Sequence, residues 1–576
     1  MVLPVFQRLL PFFGCLFFAA VSFAQLPNRF DVVIDELLPD PSPPVQLPNA
    51  EFIELKNVST TAYNIRNWKL SDGSTTATIA IGFTLQPDSF VIVCPNSAVD
   101  LFAGFGTTIG VSNFPSLNNE ADVIALYASD GRLVHTVGYN TSWYQNAVKS
   151  DGGWSLEMID TRNPCAGTNN WKASTGNIGG TPGKKNAVDY NNPDEQPPAL
   201  IRTTTTDSIT ISAWFEEPVD SNSAVIPENY TINNGVGHPV SANLISPLCT
   251  EVALNLATTL NNQLVYGLTV LHVKDCAGNA INQLNTAKAG LPVMADSQFV
   301  VINEILFNPP PNGFDYVEIY NRSNRVIDLK QLYLATRNGT RQLTGITPLY
   351  ATSWLLFPGE YRVLTENKYW LQQQYLIKDP DLIIELSALP SLPDDKGTLV
   401  LLNMQGIIVD ELQYDHNWHF GLINDEEGIA LERINYNGPT QDRSNWASAA
   451  STTGFGTPGY PNSQLMGDAQ IQGQVTINPA VFSPDNDGFN DFAVIDYQLP
   501  EPGVVANIRI YDANGRLVRY LVQGATLSAT GRFRWDGLGD RSNKLPIGTY
   551  IVLTELFNAQ GRKKKFKQTV TLARRF

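Results

Sequence analysis

The sequence predicts an all-β chain in which several β-sandwich domains follow one another. One strand pair occurs twice, as Asp31–Glu36 with Glu51–Asn57 and as Val300–Glu304 with Asp315–Asn321. The second strand of each pair alternates between two residue faces, which is the period of a half-buried strand. Gly and Pro contribute 43 and 37 residues, as is typical of short strands joined by many turns. A length of 576 residues exceeds one hydrophobic core and favours about four domains.

Residues 1–24 are predicted to be a secretory signal peptide. Arg8 supplies a positive start, residues 9–23 are apolar and uncharged, and Ser22-Phe23-Ala24 forms a small-x-small cleavage site. The sequence therefore predicts an exported protein. No later stretch reaches about 18 apolar residues, so we expect no membrane span.

Segments 25–188 and 297–466 are predicted to be two copies of one domain. Their later parts align without a gap, and both copies close with Thr-Pro-Gly, at Thr181–Gly183 and Thr457–Gly459. Matched positions include Leu126 and Leu401, Gly131 and Gly406, Tyr139 and Tyr414, Trp143 and Trp418, Glu157 and Glu432, and Trp171 and Trp446. Such recurrence in order indicates a duplicated domain. We expect the matched tryptophans to be core or hairpin anchors rather than platforms for sugar rings.

The order of these motifs resembles the lamin tail domain. The shared features are a strand, a Pro-rich loop, an E-h-h-E-h-x-N strand, an apolar hairpin, S-L-E with a later N-W, and the closing T-P-G. The resemblance implies an Ig-like β-sandwich for each copy. The second copy, with Tyr414–Phe420, is similar to the exported bacterial form, whereas the first copy has Thr141 and Tyr144 where the second has His416 and His419.

The middle segment, 189–296, begins with a Pro-rich polar linker, Asn191–Pro198, and continues with alternating segments such as Ser208–Trp214. This series is similar to the bacterial Ig-like modules that serve as spacers in surface proteins. The resemblance implies a module that separates its neighbours and performs no chemistry.

The last segment, 467–576, carries Phe482–Asp491, Ile508–Arg519 and Leu545–Leu553. It resembles both the Ig-like domain of the flagellar hook-capping protein and the C-terminal domains that gliding Bacteroidetes use for type IX secretion. Its position behind a secretory signal favours the second resemblance. That resemblance implies an address and attachment domain whose partner is the outer-membrane secretion machinery.

Removal of the signal peptide leaves four cysteines, Cys94, Cys165, Cys249 and Cys276. An even number in an oxidising compartment indicates disulfides. Of the three connectivities, the domain division favours Cys94 with Cys165 and Cys249 with Cys276. A metal site is disfavoured because no C-x-x-C spacing occurs.

Asp485, Asp487, Asn490 and Asp491 surround Gly488 and form a candidate Ca²⁺ loop. Closely spaced carboxylate and amide oxygens on a tight loop suit this cation, although the distal Glu of an EF-hand is missing. An ordinary Asx-rich turn is the alternative. We expect no other cofactor.

His416, Trp418 and His419 form a candidate binding loop in the second copy. Two histidines beside an aspartate resemble a metal site, but a catalytic zinc needs a third protein ligand, and H-E-x-x-H is absent from the sequence. Polar loop residues packed beside Trp418 are the simpler interpretation.

No catalytic residues are predicted. The sequence lacks G-x-S-x-G and a phosphate-binding loop, and Glu54 and Glu318 belong to different domains. A net charge of -16 argues against nucleic acid as a partner, and we expect the basic run Arg562–Lys567 to be the solvated edge of a last hairpin.

We therefore expect a non-enzymatic binding or scaffolding protein at the outer cell surface, with a glycan or protein ligand. The alternatives are an accessory protein of an exported hydrolase system, directed at glycan or nucleic acid, and a self-assembling component of a surface matrix.

Overall fold

The computed structural model describes residues 26–421, 423, 425–465, 473–499, 501–558 and 563–574. The described residues form β-sheets around four large hydrophobic cores that follow one another along the chain. The prediction of an all-β chain is confirmed. The predicted signal peptide lies outside the described residues, as do Arg562 of the basic run and the start of the predicted last domain.

The first sandwich is built from two main sheets. Strands β1–β12 are Val32–Leu38, Phe52–Asn57, Tyr63–Asn64, Lys69–Ser71, Thr76–Thr78, Thr84–Leu85, Phe90–Pro95, Thr108–Val111, Ala121–Tyr127, Leu133–Asn140, Leu156–Met158 and Trp171–Ala173, and helix α1 is Val99–Phe102. The strand order is β12-β11-β1-β2-β7-β8 in one sheet and β10-β9-β4-β5 in the other, and β3 pairs with β6. One core, which includes Trp68 and Trp171, contains side chains from both sheets.

The spacer is a smaller sandwich. Strands β13–β19 are Leu200–Asp207, Thr210–Phe215, Tyr230–Ile232, Ser241–Ile245, Glu251–Asn255, Tyr266–Val270 and Thr286–Ala289, and helix α2 is Ser221–Ala224. The sheets have the orders β13-β14-β17-β16 and β15-β18-β19. The alternating segment around Trp214 forms β14, as its period predicts.

The second sandwich repeats the first. Strands β20–β31 are Val300–Leu306, Tyr316–Asn321, Ile327–Asp328, Leu332–Arg337, Leu343–Pro348, Leu355–Leu356, Tyr361–Thr365, Ile383–Glu385, Lys396–Asn403, Ile408–Asp415, Leu431–Arg433 and Trp446–Ser448, and helix α3 is Lys368–Gln374. Its sheets have the orders β27-β26-β21-β20-β30-β31 and β24-β23-β28-β29, and β22 pairs with β25.

The C-terminal sandwich contains eight described strands. Strands β32–β39 are Gln474–Asn478, Val481–Phe482, Ala493–Gln498, Val504–Tyr511, Leu517–Thr526, Thr530–Trp535, Gly548–Asn558 and Lys563–Leu572. They form sheets in the orders β32-β34-β37 and β33-β39-β38-β35-β36. The basic run lies on β39, which pairs with β38. There Lys565 forms an ion pair of 2.6 Å with Glu555.

The repeated strands β2 and β21 are not half-buried, and that prediction is wrong. Every residue of β2 is buried, and in β21 only Tyr320 is partly exposed. The closing Thr-Pro-Gly segment accounts for this, because it reaches the polar side chains of both strands. The Gly183 backbone N–H donates to Glu54, and the Gly459 N–H donates to Glu318 at 2.5 Å.

These two glutamates belong to a row of three fully buried glutamates in each sandwich, which we call the glutamate row. The rows are Glu36, Glu54 and Glu157 in the first sandwich and Glu304, Glu318 and Glu432 in the second, each residue being 0% exposed. Strand register places Glu36 opposite both Glu54 and Glu157. The Thr181 hydroxyl donates to Glu157 at 2.8 Å, so the closing segment contacts every member of the row.

The predicted disulfide pairing is wrong. The structure joins Cys165 to Cys276 with a Cα–Cα distance of 6.5 Å, and Cys94 and Cys249 are buried free thiols. Cys94 lies in β7, four positions across the sheet from β12, whereas Cys165 precedes β12 by only a few residues. Cys165 lines the cleft that faces Glu216 and Leu248 of the spacer, whereas Cys94 packs in an apolar cluster with Phe52 and Phe102. The bond therefore joins the first sandwich to the spacer.

The spacer also contacts the second sandwich. The Arg202 guanidinium lies 4.3 Å from the centre of the Trp214 ring and 5.0 Å from that of Trp354. It also donates a hydrogen bond of 2.8 Å to the Ser353 carbonyl. A cation between two aromatic faces is a favourable contact that holds both rings.

The second sandwich is joined to the C-terminal sandwich by hydrogen bonds that run in both directions. The Ser451 N–H donates to the Thr526 hydroxyl at 3.1 Å, and the Gln464 side chain donates to the Leu527 carbonyl at 3.0 Å. In return, the Ala529 N–H donates to the Ser463 carbonyl at 2.7 Å. No helix among the described residues is both long and apolar enough to cross a membrane.

Candidate functional site

A cleft of about 530 Å³ lies where the second sandwich meets the C-terminal sandwich. One wall is the predicted binding loop, with Trp418 and His419, which follows β29. Trp446 and Arg443 form the second wall, and Gly503 of the C-terminal sandwich closes the far side. We call this space the tryptophan cleft.

Two short 3-10 turns position the walls of this cleft. The Asp415 carboxylate accepts the Asn417 N–H at 2.9 Å and so caps the turn that carries Trp418. Asp442 caps the turn before Trp446 in the same way, by accepting the Ser444 N–H at 2.9 Å. Such caps satisfy backbone donors that would otherwise lack partners. The loop geometry is therefore fixed by side chains that the sequence supplies locally.

Trp418 and Trp446 pack with ring centroids 6.5 Å apart. Trp446 is buried and its indole N–H donates to the Thr440 carbonyl at 2.8 Å, whereas Trp418 stays partly exposed. The expectation that both are anchors holds for Trp446. Trp418 anchors the loop and also offers part of its ring to the cleft.

The structure separates the two histidines of the predicted loop. His416 is exposed, with Nδ1 3.3 Å from Glu426, whereas the His419 ring is 3% exposed and its Nδ1 lies 2.9 Å from the Ser448 hydroxyl. Burial lowers the pKa of His419 to about 4, so the ring is neutral at pH 7. The Ser448 oxygen also accepts the Phe420 N–H at 2.9 Å. The other ring nitrogen of His419, Nε2, is buried without a partner among the described residues.

The first sandwich has a matching but smaller cleft of about 240 Å³. Trp143 and Trp171 occupy the positions of Trp418 and Trp446, with ring centroids 6.0 Å apart. Both are buried, and the cleft faces Glu216 and Leu248 of the spacer. The first cleft is thus the more enclosed of the two.

The candidate Ca²⁺ loop brings three of its four residues together. Carboxylate oxygens of Asp485, Asp487 and Asp491 all lie within 4.8 Å of one another. Asp491 also accepts the N–H groups of Asn486 (2.7 Å) and Gly488 (2.9 Å), as in an Asx-rich turn. Asn490 contributes its backbone carbonyl to Ser483 at 2.9 Å. The residues present fit a hard cation and also fit a turn without one.

A second group of three carboxylates, Asp194, Glu217 and Asp275, also lies within 4.8 Å, between the linker and the spacer. Burial and, after it, the charges of Asp194 and Asp275 raise the pKa of Glu217 to about 8. Sequence reasoning missed this group because its members are far apart in the chain. No spacing motif connects them.

One buried pair of residues beside the glutamate row differs between the two sandwiches. In the second sandwich, the Asp410 carboxylate accepts the Ile302 N–H at 2.9 Å and forms a fully buried ion pair of 3.3 Å with Arg433. In the first sandwich, His135 takes the place of Asp410, and its Nδ1 accepts the Ile34 N–H at 2.9 Å. The buried ion pair is therefore not required by the fold.

Comparisons with known proteins identify three parts of the chain. The Lamin Tail Domain model matches residues 26–141 and 294–416, and the FlgD Ig-like domain model matches residues 487–555. The family models thus find two lamin tail domain regions and one FlgD Ig-like domain region, which confirms the resemblances to the lamin tail domain and to the Ig-like domain of the hook-capping protein. The resemblance to type IX secretion domains stays a prediction. A search of the curated proteins finds no match.

Several solved structures are similar in part. The N-terminal part of the bacterial S-layer protein SbsC is 20% identical with a TM-score of 0.16, and the match covers 29% of this chain and 40% of that one. PorZ of Porphyromonas gingivalis is 11% identical with a TM-score of 0.16, covering 91% and 69%. A DUF4876 family protein from Bacteroides thetaiotaomicron is 12% identical with a TM-score of 0.18, covering 36% and 83%. These values are too low to support an argument about function.

Proposed function

We propose that this chain, with its two lamin tail domains and its FlgD Ig-like domain, is a non-enzymatic scaffold at the outer cell surface that binds a surface glycan. The tryptophan cleft is the observation that carries the proposal. Its partly exposed Trp418 ring suits the apolar face of a sugar, and Asp442 and Arg443 at its rim suit the hydroxyl groups.

The contacts between neighbouring domains support a scaffolding role. The Cys165–Cys276 bond, the Arg202 contact with Trp354 and the Ser451 contacts with Thr526 each fix one junction. Fixed junctions lower the entropy lost when a chain binds a large partner. The spacer in this proposal sets the distance between two sandwiches rather than acting as a flexible tether.

The binding part of the proposal is tested with the mature chain on a glycan array and on outer-surface fractions. We expect Trp418→Ala to reduce retention at least tenfold, because it removes the exposed ring. Tyr369→Ala, which removes a 70% exposed ring on helix α3, is the matched control and leaves retention unchanged. Equal retention by wild type and Trp418→Ala contradicts a glycan site in this cleft, and turnover of polysaccharide or nucleic acid contradicts the non-enzymatic role.

The C-terminal sandwich has a separate role in the proposal, as the address for outer-membrane secretion and the point of attachment. Deletion of residues 467–576 is expected to leave the protein inside the outer membrane, as measured by protease accessibility of intact cells. Surface exposure of the truncated chain contradicts the address role without affecting the glycan proposal.

A further inference from the structure

One position next to the glutamate row differs in chemistry between the two lamin tail domains. In the second domain, the Asn303 amide donates a hydrogen bond of 2.7 Å to Glu318 Oε1. The matching residue of the first domain is Asp35, which is 1% exposed and lies, like Asn303, at the position where the pairing of the first two strands shifts register. An ionised carboxylate has no hydrogen to donate. Asp35 Oδ1 and Glu54 Oε1 accordingly lack partners, and Glu36 Oε2 is a third buried oxygen of this region without one.

Another difference in the row is compensated. In the second domain, the Tyr316 hydroxyl donates to Glu304 Oε1 at 2.5 Å. The first domain has Phe52 at this position, but the Ser155 hydroxyl reaches Glu36 Oε1 from a neighbouring strand at the same distance. Glu36 Oε1 thus has a side-chain donor as Glu304 Oε1 does, whereas Glu36 Oε2 has none. At Asp35 Oδ1 and Glu54 Oε1 no described side chain supplies a donor.

The surroundings of Asp35 make a second charge costly there. Glu54 and Glu36 face it from β2 and β1, Glu157 from β11, and Asp189 from the linker. Lys56, on β2, is the one cation in this set, and it lies 3.8 Å from Asp88 instead. Burying several like charges with one cation is unfavourable by many kcal/mol. A proton removes one charge and supplies the missing donor.

A metal ion fits less well. Among the described residues, three or more carboxylates converge within 4.8 Å only at Asp194, Glu217 and Asp275 and at the Asp485 loop. The glutamate row is not in either group. A proton needs only two oxygens, whereas a hard cation needs several.

We propose that Asp35 is a neutral carboxylic acid in the folded first lamin tail domain and that its proton lies in a hydrogen bond to Glu54. The acid takes the role that the Asn303 amide has in the second domain. Folding of the first domain therefore takes up one proton that folding of the second does not. The proton acts as a ligand that binds the folded state more tightly than the unfolded state.

The sign of the pH effect follows. Burial raises the pKa of Asp35 from its usual 3.8 to about 7. Between these values the folded state holds a proton that the unfolded state has lost, so stability falls as pH rises through this window. The unfolding equilibrium constant rises up to about tenfold per pH unit for one proton. His135 in the same domain acts in the opposite direction, because burial lowers its pKa to about 4.

Reciprocal substitutions separate Asp35 from these other groups. Asp35→Asn copies the second domain into the first, and Asn303→Asp does the reverse, while His135 and the glutamates stay unchanged. Hydrogen exchange of β1 and β20 amides in the mature chain, corrected for intrinsic exchange, reports the opening constant of each domain from pH 4 to pH 8. Infrared spectra at pH 6 report the carbonyl band of a protonated carboxyl group.

In the wild type, Asp35 contributes a rise in the β1 opening constant of up to about tenfold per pH unit. We expect Asp35→Asn to remove this contribution and to remove intensity from the carboxylic acid band. Asn303→Asp is expected to steepen the pH dependence of β20 opening by the same factor. If Asp35→Asn leaves both the slope and the band unchanged, the proposal is overturned. If that variant does not fold, the Asn303→Asp result decides, and an unchanged β20 slope overturns it.

Discussion

The Thr181 backbone N–H donates a hydrogen bond of 2.8 Å to Glu36, although the two residues are 145 positions apart in the chain. Thr457 and Glu304 repeat this contact at the same distance in the second domain. The closing Thr-Pro-Gly motif and the first strand of each lamin tail domain are thus one structural unit. The chain segment that ends the domain covers the carboxylates that begin it.

The first prediction concerns the threonine hydroxyl of this unit. Thr457→Val removes a hydroxyl oxygen that lies 2.8 Å from both Glu304 Oε2 and Glu432 Oε1, and so removes the one hydrogen that it donates to this buried pair. We expect a loss of about 1–3 kcal/mol in the free energy of unfolding, measured by urea denaturation. Thr340→Val, in an exposed loop, is the control and should change stability by less than about 0.5 kcal/mol. Equal effects of the two substitutions would show that the hydroxyl contributes nothing.

The second prediction replaces the buried ion pair of the second domain with the matching residues of the first domain. Arg433→Met leaves Asp410 buried without its cation and is expected to cost about 3–5 kcal/mol. Met158 and His135 are the matching residues of the first domain. The double substitution Asp410→His with Arg433→Met should therefore recover most of this loss. If the double variant is as unstable as Arg433→Met, the residues of the first domain cannot replace the ion pair within the surroundings of the second domain.

The third prediction concerns the disulfide. Peptide mapping without reduction should recover Cys165 linked to Cys276 and no other pair. Cys94 and Cys249, at 0% and 4% exposure, should react with a thiol reagent only after unfolding. Cys276→Ser is expected to lower the free energy of unfolding by about 2–5 kcal/mol, since the bond closes a loop across a sequence separation of 111. A Cys94–Cys165 peptide would contradict the pairing.

The sequence predicts the repeated strands and the duplication well, because alternation and matched motifs are local or can be aligned. The sequence does not predict the burial of Glu54 and Glu318. Their alternation indicates a solvent-facing side, and only the return of the closing segment to those strands buries them. No local pattern encodes a contact between residues so far apart.

The cysteines and the histidines show the same limit. A sequence division assigns Cys94 and Cys165 to one domain, but in the structure Cys165 is bonded to Cys276 of the spacer. His416 and His419 are neighbours in the chain, yet their rings contact Glu426 and Ser448 respectively. Proximity in sequence thus does not determine which side chains these residues contact.

The fourth prediction tests the candidate Ca²⁺ loop. Ca²⁺ at millimolar concentration should raise the unfolding temperature of the C-terminal sandwich, and Asp487→Asn should abolish the shift, because it removes one of three converging carboxylates. Asp496→Asn, which disrupts a surface ion pair with Arg532, is the control and should retain the shift. If Ca²⁺ does not raise the unfolding temperature of the wild type, the loop is an Asx-rich turn and not a Ca²⁺ site.

The fifth prediction concerns His135 in the first lamin tail domain. Its Nδ1 accepts the Ile34 N–H, and burial lowers its pKa to about 4. The folded state therefore binds fewer protons than the unfolded state between about pH 4 and pH 6.5, and stability is lost as pH falls through this range. His135→Gln keeps an acceptor oxygen without titrating, so it should flatten the acid side of the β1 hydrogen-exchange profile. The exposed His272→Gln is the control, and a profile equally flat in both variants would contradict the assignment to His135.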